Sequence, residues 1–318
     1  MECLHLGKSQ IAITPILMGT WQAGKSQWGG IRDSETTLAI RTAFDLGITT
    51  FDTAPQYGGG HSERILANTL SEVRHQAIYA TKIPPSHLRY KKVFEACHKS
   101  LRNLNTDYID LYQIHWPAGS FGSKIVPIEE TMEALAALRR DGKIRAIGVS
   151  NFSIKQLKSA NLCTPIDSVQ PPYSLFWRHA EQEIIPYSKK EGITVLAYSP
   201  MAQGLLTGKF GHGHRFPKGD HRSTNRLFQT ENFARALRAL EQLRAIADRL
   251  MVTLGQLALA WVLVQKGTCA IAGARNVGQV RQNVKATQVA LTKELLSEMD
   301  RISYSVTDHI DDNPVMWE

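Results

Sequence analysis

From residue 16 onward the chain repeats one unit eight times: a short apolar, β-branched run, then a stretch with the periodicity of an amphipathic helix. The runs fall at 16–21, 49–54, 77–82, 108–115, 144–150, 167–170, 194–198 and 269–272. The helical stretches fall at 33–46, 61–73, 90–104, 128–141, 153–160, 180–191, 231–250 with 253–265, and 277–286. Strand cores this continuously apolar suit parallel strands buried on both faces. Eight such units in 318 residues imply a closed (β/α)8 TIM barrel, an α/β architecture that typically needs about 250 residues. Residues 4–13 read as an N-terminal β-hairpin with Gly7–Lys8–Ser9 at its turn. The helix pair after the seventh run, a helix at 292–304 and a C-terminal tail from 305 are additions to the barrel. No Pro/Ser-rich linker breaks the chain, so residues 1–318 are expected to form one domain. In the first helix, Asp33 or Ser34 is expected to cap, Leu38, Ile40, Ala43, Phe44 and Leu46 to face the core, and Gly47 to end it.

In a barrel of this kind the C-terminal ends of the strands converge on one mouth, where catalytic side chains sit. Those ends carry Trp21, Asp52, Lys82, His115, Ser150–Asn151, Gln170 and Tyr198–Ser199, and Tyr57 follows Asp52 on a Pro/Gly-rich loop. Each has a plain structural alternative: Lys82 as a snorkelling lysine, His115 as a hydrogen-bonded core histidine, Asp52 as a helix cap. Together they suit a specific chemistry. A free phenol titrates near 10, too high for an efficient acid at neutral pH. A cation within ~4–6 Å lowers that value. Lys82 can be the cation, Asp52 can hold it, and His115 can hydrogen-bond the oxygen being protonated. This set suits carbonyl reduction. No side chain delivers hydride, so a nicotinamide cofactor is required.

The runs Phe51–Asp52–Thr53–Ala54, Tyr57–Gly58, Ser62–Glu63, Ala80–Thr81–Lys82, Ile114–His115–Trp116–Pro117, Gly148–Val149–Ser150–Asn151–Phe152 and Tyr198–Ser199–Pro200 resemble, in order, the signatures of the aldo-keto reductase family. The resemblance covers residues 13 to about 290 and implies an NAD(P)H-dependent oxidoreductase. It carries Tyr57 over as general acid/base, Lys82 and Asp52 as its tuners and His115 as the residue orienting the substrate. It implies that Thr20, Trp21 and Asp52 border the cofactor, that Ser150, Asn151 and Gln170 hold the carboxamide, and that Tyr198 stacks on the nicotinamide. Ser199, Pro200, Met201, Ala202, Gly204, Lys209 and Arg222 would take the pyrophosphate side, and Gly273, Arg275, Gln279, Gln282 and Asn283 the adenine end.

The cofactor site also has a physical basis. No G-x-G-x-x-G follows a strand, and 204–210 lacks P-loop spacing. Barrels instead bind phosphate through the loops after the last two strands and a helix N-terminus, which are 199–209 and 273–277 here. Arg275 suits an adenosine 2′-phosphate. The chain departs from many members at Gly273–Ala274, where a lysine–serine pair is common, at Ala272 (often proline) and at Pro171 (often a polar residue). The 2′-phosphate would then rest mainly on Arg275, which favours NADPH over NADH.

The partner expected is a small carbonyl compound, with Trp21, Trp28, Tyr57, His115 and Trp116 lining its pocket. Phe121 and Trp317 add to an aromatic or apolar character. Specificity would come from loops 22–32, 84–89, 117–127 and the tail. The net charge of +8 is scattered over several segments without an aromatic-interleaved stripe, which argues against nucleic acid but leaves room for an anionic ligand. The Arg-rich stretch 233–244 reads as an amphipathic cover. His212, His214 and His221 lack a carboxylate or cysteine at ligand spacing, so no metal is expected and the long loop that bears them reads as a cover over the cofactor. Four dispersed cysteines, no membrane-length apolar run and no signal-peptide pattern suggest a reduced cytoplasmic protein, monomeric or weakly self-associating. Two other roles are open: a nicotinamide-binding sensor with little turnover, like the potassium-channel β subunits of the same family, and a metal-dependent hydrolase. A single histidine and carboxylate at the strand ends, with Lys82 repelling a divalent ion, weigh against the second.

Overall fold

The computed structural model describes residues 1–25, 28, 30–217 and 219–311. A two-stranded antiparallel hairpin, β1 (Leu4–His5) and β2 (Ala12–Ile13), precedes the barrel. The barrel strands are β3 (Ile16–Gly19), β4 (Thr50–Asp52), β5 (Ile78–Ile83), β6 (Ile109–Ile114), β7 (Ile144–Ser150), β8 (Ser168–Gln170), β9 (Thr194–Ala197) and β10 (Thr268–Gly273). They pair in parallel in sequence order, and β10 closes back on β3. The eight runs read from the sequence are these eight strands, and the (β/α)8 barrel is the fold.

Strand parity explains both the core and the site. Leu17, Ala80, Leu111, Ala146, Leu196, Cys269 and Ile271 pack inside the barrel with Leu6, Ile11 and Ile13 of the hairpin segment. Their chain neighbours Ile16, Met18, Tyr79, Tyr112, Ile147, Val195, Ala270 and Ala272 face the helix layer. A strand alternates faces every residue. The inward register therefore continues to Gly19, Lys82, Gln113, Gly148, Ser150, Tyr198 and Gly273. Phe51 and Val169 face outward, which turns Asp52 and Gln170 inward. The interior is apolar at the hairpin end and polar at the other, so the hairpin plugs the floor and the chemistry collects at the mouth.

The helices are α1 (Asp33–Asp45), α2 (His61–Leu70), α3 (Tyr90–Asn103), α4 (Ile128–Arg140), α5 (Ile154–Cys163), α6 (Ile184–Glu191), α7 (Thr230–Arg249), α8 (Leu254–Leu263), α9 (Val277–Lys285) and α10 (Lys293–Thr307). Two expectations for α1 are corrected. Neither Asp33 nor Ser34 caps it: the N-cap position is Arg32, without a side-chain cap. Asp33 instead pairs with Lys25 at 2.8 Å and His61 at 3.0 Å. Leu38 points to solvent, 57% exposed, while Ala39, Ile40 and Ala43 carry the buried face. The expected helix at 61–73 ends at Leu70 and continues as 3-10 turns over Ser71–Gln76.

The long segment after β9 is partly ordered, with 3-10 turns at Ala202–Thr207, His221–Thr224 and Arg226–Phe228. Helix α7 buries Ala236, Leu237, Ala239, Leu240, Leu243, Ile246 and Ala247, as an amphipathic cover should. Ser305–Thr307 complete α10. Pro314, Met316 and Trp317 of the tail lie outside the described residues. Among the described residues no single helix is long and apolar enough to cross a membrane.

Candidate active site

At the barrel mouth lies a cleft of about 1190 Å³. Its floor is built on one ammonium. Lys82 is fully buried, and its Nζ donates to Asp52 Oδ1 at 2.7 Å, to the Thr53 carbonyl at 2.9 Å and to the Tyr57 hydroxyl at 3.4 Å. A lysine has three N–H donors, and all three are used. Asp52 Oδ2 accepts from Gln170 Nε2 at 2.9 Å, and the Asp52 carbonyl accepts from the Thr20 amide and hydroxyl, both at 2.9 Å. Ser62 Oγ lies 2.7 Å from Thr20 Oγ1 and 2.9 Å from Thr53 Oγ1. The end of β4 is thereby clamped from three sides.

The loop carrying Tyr57 is fixed by a backbone approach that only glycine allows. A Cβ on Gly24 would stand 2.5 Å from the Tyr57 carbonyl carbon, and one on Gly58 would stand 2.5 Å from the Gly24 oxygen. The tyrosine ring is edge-on to His115 at 6.0 Å and tilted against Trp21 at 6.3 Å. His115 Nδ1 is 3.3 Å from Gln56 Oε1. Asn151 Nδ2 donates to the His115 carbonyl and to Ser150 Oγ, both at 3.0 Å, while its Oδ1 accepts from the Tyr198 hydroxyl at 2.9 Å. Ser150 Oγ in turn donates to the Gln170 carbonyl at 2.8 Å.

The electrostatics differ from the sequence expectation in one respect. Burial, the largest influence, raises the Tyr57 phenol above its ordinary value; the nearby Lys82 charge opposes this, and the Asp52 charge adds to the rise. Burial pulls Lys82 down, but Asp52 and Tyr57 outweigh it and its value is raised. Burial, with the Lys82 charge second, holds His115 well below the usual histidine range. Near neutral pH the floor therefore presents a protonated phenol, a protonated lysine and a neutral imidazole.

At the other end, Lys209, Arg222 and Arg275 line the same cleft. Arg222 donates to Asp220, from Nε at 2.8 Å and from Nη2 at 2.5 Å. Burial lowers both Lys209 and Arg275, and repulsion by Arg222 adds to each. Three cations facing one carboxylate is a cluster short of negative charge. Gly273 is small where Gln22 is not: a Cβ there would meet the Gln22 amide at 2.2 Å. Gln279 Oε1 accepts from the Arg275 amide at 2.8 Å, Gln282 bonds Gln256 at 2.7 Å, and Asn283 reaches the Gly273 carbonyl at 3.4 Å.

Of the residues singled out from sequence, Trp21, Asp52, Tyr57, His115, Ser150, Asn151, Gln170, Tyr198, Ser199, Pro200, Met201, Gly204, Gln279, Gln282 and Asn283 line the cleft, with Trp28, Trp116 and the cation cluster. Thr20, Lys82 and Ala202 lie behind its wall. Gln22, Gln56, Gln203, Ser120 and Ser123 also line it. The sequence placed Gln203 in the 199–209 phosphate loop and Gln22, Ser120 and Ser123 in loops expected to set specificity, but gave no individual role to any of the five, since an amide or hydroxyl in a loop carries no signal beyond its position after a strand. Among the described residues, no three His, Cys, Asp or Glu side chains group as metal ligands. His214 packs on Phe210 at 4.6 Å, and His221 on Trp21 at 4.7 Å.

An eight-stranded barrel with a buried lysine–carboxylate pair under a tyrosine, at one end of a long cationic cleft, is a known kind of oxidoreductase scaffold. The chain belongs to the aldo/keto reductase family, whose model matches residues 15–304. It is 39% identical over 314 residues to the aldo-keto reductase YhdN of Bacillus subtilis, covering 95% of this chain and 93% of that one. It is 33% identical over 314 residues to the NADH-specific methylglyoxal reductase of Escherichia coli, covering 92% and 95%. Among solved structures, the glycerol dehydrogenase of Gluconobacter oxydans superposes with a TM-score of 0.89 at 36% identity, covering 97% of each chain. A Klebsiella pneumoniae aldo-keto reductase in complex with NADPH superposes at 0.76 with 28% identity, covering 95% and 96%.

Proposed function

We propose that this protein reduces aldehydes or ketones to alcohols, reversibly, with NADPH as the reductant and Tyr57 as the proton donor. The observation that carries the reading is the chain Asp52–Lys82–Tyr57, with contacts of 2.7 and 3.4 Å, next to a neutral His115 at the floor of the cleft. The cleft fits a dinucleotide in its own terms. Its far end holds three cations against one carboxylate, and among the described residues the buried Gln203 amide nitrogen has no hydrogen-bond partner. Gln170, Asn151 and Tyr198 border the nicotinamide end in this reading, and Lys209, Arg222 and Arg275 hold phosphate. When bound, the nicotinamide supplies hydride to the carbonyl carbon, which no side chain can do.

The chain's own residues handle the proton. A phenol kept protonated by burial is a donor poised beside the substrate oxygen. As it gives up its proton, the phenolate forms 3.4 Å from a full ammonium, so Lys82 stabilises charge that develops only in the transition state. Asp52 holds that ammonium and keeps it charged. Neutral His115 orients the carbonyl oxygen by a hydrogen bond. Trp21, Tyr57, His115, Trp116 and Phe121 give the substrate end an aromatic lining, which favours an aromatic or apolar carbonyl. Arg275 supports NADPH over NADH, although an E. coli relative is named NADH-specific. Four free thiols, two of them buried, support a reducing cytoplasmic setting. We take residues 1–318 as one functional unit, monomeric or weakly self-associating.

The test is NADPH oxidation against a panel of aldehydes and ketones. Turnover that collapses in Tyr57→Phe while NADPH still binds upholds the reading. A wild-type protein that binds NADPH without turnover would instead favour a nicotinamide-sensing role.

A further inference from the structure

Trp28 occupies an unusual position. It is 9% exposed, and among the described residues its buried indole nitrogen has no hydrogen-bond partner. An indole N–H is a donor only, and leaving one unmade in a buried place is costly. The ring lines the cleft. The Arg222 and Arg275 guanidiniums sit over it at 4.8 and 5.0 Å from its centroid. Trp21 and His221 meet it edge-on at 5.2 and 4.9 Å. Lys209, whose charge is disfavoured by burial and then by both arginines, lines the same cleft, and Asp220 is bonded to Arg222.

A buried donor on a ring that already carries two cations is the reverse of what a self-contained cluster needs. Two guanidiniums over one aromatic ring gain from its quadrupole but repel each other. Every feature of the group asks for an anion with acceptor oxygens. A carbonyl substrate offers no such charge. A phosphate does, and Arg275 is the cation assigned above to the adenosine 2′-phosphate.

We propose that Trp28 is a cofactor-binding residue rather than a wall of the substrate pocket. Its indole N–H donates to the 2′-phosphate of the bound dinucleotide while Arg222 and Arg275 are held on its ring. The inference rests on the dinucleotide reading of the cleft. The loop after β3 thereby contributes to NADPH selectivity together with the loops after β9 and β10, and the aromatic ring organises two arginines that would otherwise repel.

Binding of four probes by calorimetry tests this on the full chain: NADPH, NADH, adenosine 2′,5′-bisphosphate and 5′-AMP. Trp28→Phe keeps an aromatic face for the arginines, though a smaller one, and deletes the N–H with the pyrrole ring that carries it. One charge-assisted hydrogen bond corresponds to about tenfold in Kd. Trp28→Phe is expected to weaken NADPH and the bisphosphate by about tenfold and to leave NADH and 5′-AMP unchanged. The unchanged pair also reports that the variant is folded. Trp28→Leu, which removes the ring as well, is expected to weaken the two 2′-phosphorylated probes further. Equal weakening of all four by Trp28→Phe, or no change in any, overturns the assignment. If the wild-type protein binds neither dinucleotide, the functional reading itself fails, a result distinct from failure at Trp28.

Discussion

Replacing Asp52 with alanine strands Lys82 beneath the cleft at the barrel mouth. Its ammonium is fully buried and its strongest contact is the 2.7 Å bond to Asp52. Removing one partner of a buried ion pair costs about 3–5 kcal/mol, because the charge left behind is uncompensated. With an unfolding entropy of about 2.1 cal/mol/K per residue over 318 residues, roughly 0.7 kcal/mol/K, the melting temperature should fall by about 4–8 °C. The loss depends on pH with a definite sign. In the wild type Lys82 titrates above its ordinary value, so its contribution is complete below about pH 10.4 and fades as pH rises through the folded value. In Asp52→Ala the burial penalty is unopposed by Asp52, the folded value drops, and the variant regains stability as pH approaches 10. Differential scanning calorimetry from pH 7 to pH 10 should therefore show the gap between the two proteins closing. The double variant Asp52→Ala/Lys82→Met, which removes both charges, should recover most of the stability that Asp52→Ala loses while remaining inactive. A shift under 1 °C, a gap that widens with pH, or a double variant as unstable as the sum of the singles would refute a buried, charged pair.

Further outcomes follow from the same geometry. Because burial raises Tyr57 above 10 and holds His115 well below 6.5, carbonyl reduction should keep a flat kcat/KM from about pH 7 to 9, and alcohol oxidation, which needs the phenolate, should rise with pH over that range; a reduction profile that falls in mid-range would contradict both assignments. Arg275→Ala should erase most of the preference for NADPH over NADH, and an unchanged ratio of Kd values would remove Arg275 from the 2′-phosphate. Gly24→Ala drives a Cβ to within 2.5 Å of the Tyr57 backbone, so kcat should drop at least tenfold with NADPH binding retained; wild-type kcat would mean that this approach does not position the tyrosine.

How much of this could be read from the sequence depends on which physical signal each feature leaves. The barrel leaves a strong one, because parallel strands covered on both faces are apolar throughout and each is followed by an amphipathic helix. Asp52, Lys82 and His115 stood out because a charged or titratable residue interrupts such a run at its C-terminal end, and strand parity turned Asp52 and Lys82 inward. Leu38 misled because apolar spacing alone cannot tell a core face from a helix edge, and here Ala39, Ile40 and Ala43 fill the contact. Asp33 misled for a related reason: a carboxylate at a helix start suits a cap, but Lys25 and His61 compete for it. Gln22 and Gln56 left no trace, since their roles come from distances across the cleft, to Gly273 and to His115. The direction of the Tyr57 shift was also beyond the sequence. Lys82 nearby implies a lowered value, whereas burial and Asp52 together reverse it.

The central claim is that Tyr57, backed by Lys82, gives the proton in a reaction driven by a nicotinamide. Single-turnover mixing of the NADPH-loaded protein with an aromatic aldehyde, compared between wild type and Tyr57→Phe, isolates that step from binding and release. Loss of the phenol should slow NADPH oxidation by about 10²–10⁴-fold with the Kd for NADPH unchanged. Equal rates in the two proteins would show that the proton comes from elsewhere.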